Sequence, residues 1–303
     1  MLQYLRSDEN HRIRQEDSLT NGSWVRVERP SDDEKAVLIE LGIDQDVVLD
    51  ALDPHEVPRV EFEDGWTYFI TRLPDTDDNF NDYTTPVLFA LGSDAMFTVS
   101  RDSLGRLWQP FIDKTIVDTA NQTTLFMLMV DAIVLSYQRR VATINRQMRA
   151  ATSDVRSLRS SDIATLTDYE RKLNDYLDAL IPTNTAVEKL LKSRSVRLNE
   201  DDRDLVEDLS IDLEQIISRC KSLLRTITNV RDSYRAVMDT KLNETIRLLT
   251  VVTVSLTIPT MVAGLFGMNV DVPGESYPYT FWVVIAVSAL AAVGLGTYFL
   301  RRR

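Results

Sequence analysis

An α+β domain, a long stalk helix and two C-terminal transmembrane helices make up the architecture that this 303-residue sequence predicts. Three observations predict it. Residues 248–300 carry only Asp271 and Glu275 as ionised side chains, whereas residues 1–245 are charged and mixed, so the mean hydropathy of −0.15 averages two different solvents. A heptad pattern free of proline and glycine occupies the run from Asn199 to Ile258. Upstream of it, short apolar runs separated by turn residues read as strands and short helices.

The expected divisions follow. Residues 1–118 form a cytosolic α/β domain, 119–198 a cytosolic helical region and 199–247 the stalk. A first transmembrane helix covers 248–268, an outer loop 269–280, a second transmembrane helix 281–300 and a basic cytosolic tail 301–303.

Within the first division, Trp24 to Glu28 alternates like a half-buried strand. Ser31-Asp32-Asp33-Glu34 has capping-box spacing and opens a helix ending near Gly42. A second short helix follows near Asp46–Leu52. Arg59–Glu63, Trp66–Arg72, Pro86–Leu91 and Ala95–Arg101 read as strands, and Glu63-Asp64-Gly65 as the turn of a hairpin. The acidic run Asp75–Asp82 reads as a surface loop. From about Thr119 the chain becomes helical, with Val130, Val134, Tyr137, Val141, Ile144 and Met148 on one stripe. Residues 161–193 continue as helix, with a break expected at Ile181-Pro182-Thr183 because proline removes a backbone donor.

The most regular segment places Val206, Leu209, Leu213, Ile216, Cys220, Leu223, Ile227, Val230, Tyr234 and Val237 at alternating steps of three and four. A helix from Asn199 to Phe266 would be roughly 100 Å long. That is a stalk packed on other helices along its seam, on which Cys220 reads as a small core residue.

The composition also excludes classes of function. A net charge of −12 argues against nucleic-acid binding. Cys220 is the only cysteine, and His11 and His55 lack metal-site spacing, so no disulfide or zinc cluster is expected. No phosphate-cradling glycine–lysine loop or GxSxG elbow is present, so an enzyme is not expected, nor is a prosthetic group. The first fifteen residues have no apolar core, which predicts no cleaved signal and a cytosolic N-terminal part.

Leu248–Met268 and Phe281–Leu300, at 21 and 20 residues, each match the length needed to cross the hydrocarbon core. Lys241 and Arg247 precede the first, Arg301-Arg302-Arg303 follow the second, and the loop between has neither lysine nor arginine. The positive-inside rule puts both termini in the cytosol of a multi-pass protein in the plasma or inner membrane. Thr250, Thr253, Thr257 and Thr260 share one helix face, extended by Gly264 and Gly267 outward and by Ile246 and Asn243 inward. Two readings of that stripe stand: hydroxyls bonded back to their own helix, or a water-lined path that several copies of the chain would enclose.

The stretch Ile258-Pro259-Thr260-Met261-Val262-Ala263-Gly264-Leu265-Phe266-Gly267-Met268-Asn269 resembles the CorA family of divalent-cation transporters, in which Gly-Met-Asn closes the first membrane helix. Leu52-Asp53-Pro54-His55-Glu56-Val57-Pro58-Arg59-Val60-Glu61 resembles the family segment before its strand hairpin, so the likeness spans nearly the whole chain. The resemblance implies a CorA-like homopentameric channel in the lipid bilayer. Its partners would be divalent cations, with Mg²⁺ as the transported and regulatory ion and Co²⁺ or Ni²⁺ as substitutes.

It further implies that Gly267, Met268 and Asn269 form a selectivity filter and that Asn243, Ile246, Leu249, Thr253, Thr257, Thr260 and Gly264 line a pore. Asp208 and Asp232 fall at acidic family positions on the stalk. The loop reads Val270-Asp271-Val272-Pro273-Gly274-Glu275 where many members have Met-Pro-Glu-Leu. Asp271 and Glu275 keep acidic charge at the outer mouth without the family's ring. Thr257 stands where an apolar pore residue is common. A Zn²⁺ transporter of the same family and a non-conducting membrane sensor remain the alternatives to gated Mg²⁺ uptake.

Overall fold

A computed structural model describes residues 1–77, 82–114, 118–152, 158–193, 200–268 and 279–301. Two compact units divide the chain, Met1–Asn229 and Val230–Arg303.

The first unit is built on a seven-stranded sheet: β1 (Leu2–Ser7), β2 (Ile13–Glu16), β3 (Ser23–Glu28), β4 (Arg59–Glu63), β5 (Trp66–Thr76), β6 (Asp82–Leu91) and β7 (Ala95–Ser100). Their order is β2-β1-β3-β7-β6-β5-β4, with β3 and β7 parallel and every other pair antiparallel. The strands β1 and β2 were not expected from the sequence. Their sparse, charge-broken apolar residues conceal them, and only Leu5 and Ile13 are buried.

Both faces of the sheet are covered. On one lie α1 (Asp32–Glu40) and α2 (Gln45–Asp50), whose Leu38, Val47 and Val48 pack on Val25, Val27, Ile70, Leu88 and Phe97. On the other lie α3 (Gly105–Lys114), α4 (Gln122–Ala151) and α5 (Ser160–Lys192). There Phe126 of α4 meets Phe69 and Phe89 edge-on, with centroids 5.1 and 5.2 Å away, and Trp108 of α3 meets Trp24 and Phe89. Each such aromatic pair adds about 0.5–1.5 kcal/mol beyond its burial.

Coverage on both faces corrects the expectation that β3 is half-buried: all six of its residues are inside. Its polar positions, Arg26 and Glu28, are buried together. Arg26 Nε donates to Glu28 Oε1 at 2.7 Å, and Ser103 Oγ donates to Glu28 Oε2 at 2.9 Å. A charge buried on this face is kept only because its partner is buried beside it.

The turns follow their residue chemistry. Ser31 and Glu34 form the reciprocal capping box that opens α1. Asp64 and Gly65 both take positive φ, 47° and 86°, which is the backbone a two-residue hairpin between Glu63 and Trp66 requires. The Leu52–Glu61 segment is held down by two arginines. Arg72 Nη1 donates to the carbonyls of Pro54 and Glu56 at 2.8 and 3.0 Å, while Arg59 engages Asp50, Glu56 and Glu61.

Two further expectations need correction. Of the expected Asp75–Asp82 loop, residues 78–81 lie outside the described residues, and Asp75, Thr76 and Asp82 belong instead to β5 and β6, paired as Asp75↔Tyr83 and Thr76↔Asp82. Their polar side chains are satisfied in place: Asp82 receives Arg140 Nη1 at 2.6 Å and lies 3.1 Å from Lys172 Nζ. And α5 continues through Pro182. Thr183, buried beside it, donates to the Ala179 carbonyl at 2.8 Å and pairs with Thr71 of β5 at 2.9 Å, so packing on the sheet holds the helix where propensity would break it.

The helix α6 is continuous from Glu200 to Phe266. Its predicted seam is buried from Val206 through Leu209, Leu213, Ile216, Cys220, Leu223 and Ile227. Val230, Tyr234 and Val237 are half-buried. Cys220 has no exposed surface, and burial pushes its thiol up to about 12. The last helix, α7, spans Thr280–Arg301.

A close approach at Gly92 gives a direct test of this packing. A Cβ there would stand 2.7 Å from the Trp66 ring, which stacks on Tyr68 and tilts against Phe97. Gly92→Ala is expected to cost about 1–3 kcal/mol by overpacking. Gly92→Ala on a Trp66→Leu background should cost much less, a non-additivity readable by denaturant unfolding.

Candidate functional site

In the second unit, the polar stripe of α6 forms one face, as its spacing predicts. Each threonine hydroxyl donates to the carbonyl four residues earlier: Thr250 to Ile246, Thr253 to Leu249, Thr257 to Thr253 and Thr260 to Leu256, at 2.8–2.9 Å. The single hydroxyl proton is therefore committed to the helix, and the oxygen presents lone pairs outward. Asn243, Ile246, Leu249, Thr253, Thr257, Thr260 and Gly264 are all exposed within the chain.

The second helix covers a different face. α7 runs antiparallel to the apolar end of α6 and meets Val251, Ser255, Pro259 and the residues beyond them. Arg247 Nη2 donates to the Phe299 carbonyl at 2.7 Å, and a Cβ on Gly296 would stand 3.0 Å from Ser255 Oγ. Toward the other end the two helices part. A mostly apolar cavity of about 640 Å³ lies between Pro259, Val262 and Phe266 on one side and Phe281, Val284 and Ser288 on the other. The change comes where Pro259 deprives the Ser255 carbonyl of its helical donor. Ser288 returns its proton to the Val284 carbonyl at 2.5 Å.

At its end α6 winds on for one more turn. The Gly267 amide donates to Ala263 O at 2.9 Å, and the Met268 amide to Leu265 O at 3.4 Å. Gly267 is not in the left-handed region, but a Cβ there would stand 3.3 Å from the Ala263 carbonyl, while Gly264 has open space. Asn269, Asp271 and Glu275 lie outside the described residues.

The stalk acids do not converge within one chain. Asp208 is exposed in the first unit. Asp232 is exposed in the second, 3.6 Å from Arg235 of its own helix. Among the described residues no three acidic, histidine or cysteine side chains are placed to hold a metal. Sequence reading did not single out Asp131, on α4. Burial and the Asp212 carboxylate of α6 raise its carboxyl above the usual value. Neither residue departs from an ordinary helix surface pattern, so only the packing of α4 on α6 reveals the pair.

Two helices long and apolar enough to cross a membrane, each with a mean hydropathy of 1.9 over its best stretch, follow a sheet domain and a long helix. Together these define an integral membrane protein with a C-terminal pair of spans. Residues 21–302 match the family described as CorA-like Mg²⁺ transporter protein, and the chain belongs to that family. It is a transporter family, not one of enzymes.

Among curated relatives, the cobalt/magnesium transport protein CorA of Methanocaldococcus jannaschii is 24% identical over 287 residues, 92% of this chain and 90% of that protein. The cobalt/magnesium transport protein CorA of Thermotoga maritima is 19% identical over 86% of this chain and 77% of that one. Among solved structures, the complete CorA magnesium transporter from Methanocaldococcus jannaschii superposes with a TM-score of 0.89 at 20% identity. The match covers 100% of this chain and 98% of that one, and it bears out the α+β domain, long helix and C-terminal spans expected from the sequence.

The raised Asp131 carboxyl makes a prediction about pH. A folded-state value above the unfolded one favours the folded protein at low pH and becomes a penalty once pH rises through the folded value. Asp131→Asn is therefore expected to stabilise the protein at pH 7, with the gain fading as pH falls through the folded value and absent below the unfolded one. Thermal unfolding of the detergent-solubilised protein at a series of pH values checks this.

Proposed function

We propose that this chain is a gated channel for Mg²⁺ uptake, with Co²⁺ or Ni²⁺ as substitutes, assembled as a homopentamer. Both termini would be cytosolic in a plasma or inner membrane. The observation that carries the reading is the threonine face of α6. It is polar, uncharged, left uncovered by α7, and has every hydroxyl proton spent on the backbone. Oxygen acceptors without free donors suit a cation or the outer side of its water shell. Membership of the CorA-like Mg²⁺ transporter family supports the ion.

Mg²⁺ gives up its six waters reluctantly, so a conducting site must hold the hydrated ion without gripping it. The Asn269 carboxamide, with Gly267 and Met268, is assigned as the outer filter for that shell, under the acidic Asp271 and Glu275. Asn243 would form a second amide level at the cytosolic end. Ile246 and Leu249, 52% and 66% exposed within the chain, would close the path by dewetting. An inward divalent ion gains about 4.6 kcal/mol per 100 mV. Asp208 and Asp232 are assigned to regulatory Mg²⁺ held between copies. The single Lys/Arg-rich end of the hairpin, at Lys241, Arg247 and Arg301, supports the orientation.

Flux into liposomes holding the purified protein, compared for Mg²⁺, Co²⁺ and Zn²⁺, tests the assignment. Mg²⁺ flux blocked by Asn269→Ala, with inhibition by internal Mg²⁺ blunted in Asp232→Ala, is expected. Flux of Zn²⁺ alone would reassign the ion, and no flux from an intact assembly would leave a non-conducting sensor. Thr257→Val, which keeps helix and size but removes an acceptor, is expected to lower Mg²⁺ flux by roughly tenfold, the worth of about one hydrogen bond. Unchanged flux would remove the threonine face from the conduction path.

A further inference from the structure

Arg247 occupies an unusual place on α6. It lies between Ile246 and Leu249 in sequence. Its Nη2 crosses to α7 and donates to the Phe299 carbonyl at 2.7 Å, 52 positions away in sequence. Phe299 lies in α7, which is described over Thr280–Arg301. A helix carbonyl has a second lone pair with which to accept a charged donor from a neighbouring helix.

The contact does not stand alone. Val251, one turn further along α6, is buried, and Ser255 another turn on faces Gly296, where a Cβ would stand 3.0 Å from the Ser255 hydroxyl. Beyond Pro259 the same two helices part around the apolar cavity. The pair is therefore in direct contact at the Arg247 end, while an apolar cavity lies between the two helices beyond Pro259.

We propose that Arg247 is a positioning residue. Its guanidinium clasps the carboxyl end of α7 to the base of α6 and holds the Ile246–Leu249 level of the pore helix in register with the outer helix. The functional half of this rests on the channel reading above. The structural half stands on the geometry of the helix pair. The chemistry asks for a long side chain with a charged donor. Lysine can supply one charged bond to the carbonyl, glutamine a neutral one, and alanine none.

The test uses full-length protein in liposomes on a Cys220→Ser background, with spin labels at Thr245→Cys and Thr297→Cys. Labelled chains are diluted with unlabelled ones so that each assembly carries one pair. Arg247→Ala is expected to lengthen and broaden the label-to-label distance distribution. In unlabelled protein it should shift the internal Mg²⁺ concentration that halves flux by about tenfold, the worth of one charge-assisted hydrogen bond. Arg247→Lys should restore both and Arg247→Gln only part.

An unchanged distance distribution in Arg247→Ala would overturn the clasp. A changed distribution with unaltered Mg²⁺ dependence would overturn its role in positioning the gate. Absence of flux from the unmutated protein would sink the channel reading while the distance measurement still decides the clasp. Should Arg247→Ala fail to assemble, the comparison of Arg247→Lys with Arg247→Gln carries both readouts.

Discussion

Hydrocarbon offers a polypeptide no hydrogen-bond partner, and the geometry of the second unit follows from that single constraint. A spanning segment must satisfy its own amides and carbonyls, so α6 stays helical through Pro259 and to Phe266 even though a proline removes one donor. The same constraint acts on side chains. Thr250, Thr253, Thr257 and Thr260, and Ser288 on the second span, all return their protons to backbone carbonyls three or four residues back. Ser255 is the exception among the described hydroxyls of the two spans, with a buried oxygen that finds no partner, and it faces Gly296 of the second helix. Small residues commonly permit such close packing between membrane helices.

The first unit answers a different problem. It covers its sheet on both faces and must then satisfy whatever polar residues the strands carry inward. It does so by local pairing: Arg26 with Glu28 on one strand, Thr71 with Thr183 between sheet and helix, and Trp24 Nε1 with Thr98 across neighbouring strands at 2.9 Å. Asp82 ties β6 to both α4 and α5 through Arg140 and Lys172. Removing one member of a buried pair leaves the other uncompensated, so these pairs restrict which side chains the sheet can exchange.

Much of this was legible in the sequence, and the parts that were not share physical causes. The capping box at Ser31, the hairpin turn at Asp64-Gly65, the α4 stripe and the α6 seam to Ile227 are local signals, decided by residues within one or two turns of each other, and they were read correctly. The strands β1 and β2 were missed because pairing, of β1 with β3 and of β2 with β1, and not their own composition, makes them strands. The polar ends of β5 and β6 read as loop because their compensation comes from α4 and α5, far away in sequence. Pro182 read as a break because Thr71, more than a hundred positions earlier, is not visible from the α5 sequence. In the second unit the threonine face could be counted off the sequence. The bond from Arg247 to Phe299 could not, since nothing local marks which carbonyl a long cationic side chain will find.

If the channel proposed above is right, the donor and acceptor balance of that threonine face would bear on ion choice in a way that charge alone does not. A stripe of carboxylates would attract a divalent ion strongly and release it slowly, and free hydroxyl donors would serve anions as readily as cations. The face presented by α6 does neither. It carries no formal charge between Leu248 and Met268, and the backbone has already taken its donors, so what remains is a row of neutral oxygen acceptors. Such a row discriminates by sign without binding tightly, and a tightly hydrated cation tolerates it because the acceptors can address its water rather than replace it. Thr257 extends this row at a level where an apolar residue would interrupt it. In the channel proposed above, the greater part of any barrier to ions would thereby be left to the Ile246 and Leu249 level, next to Arg247.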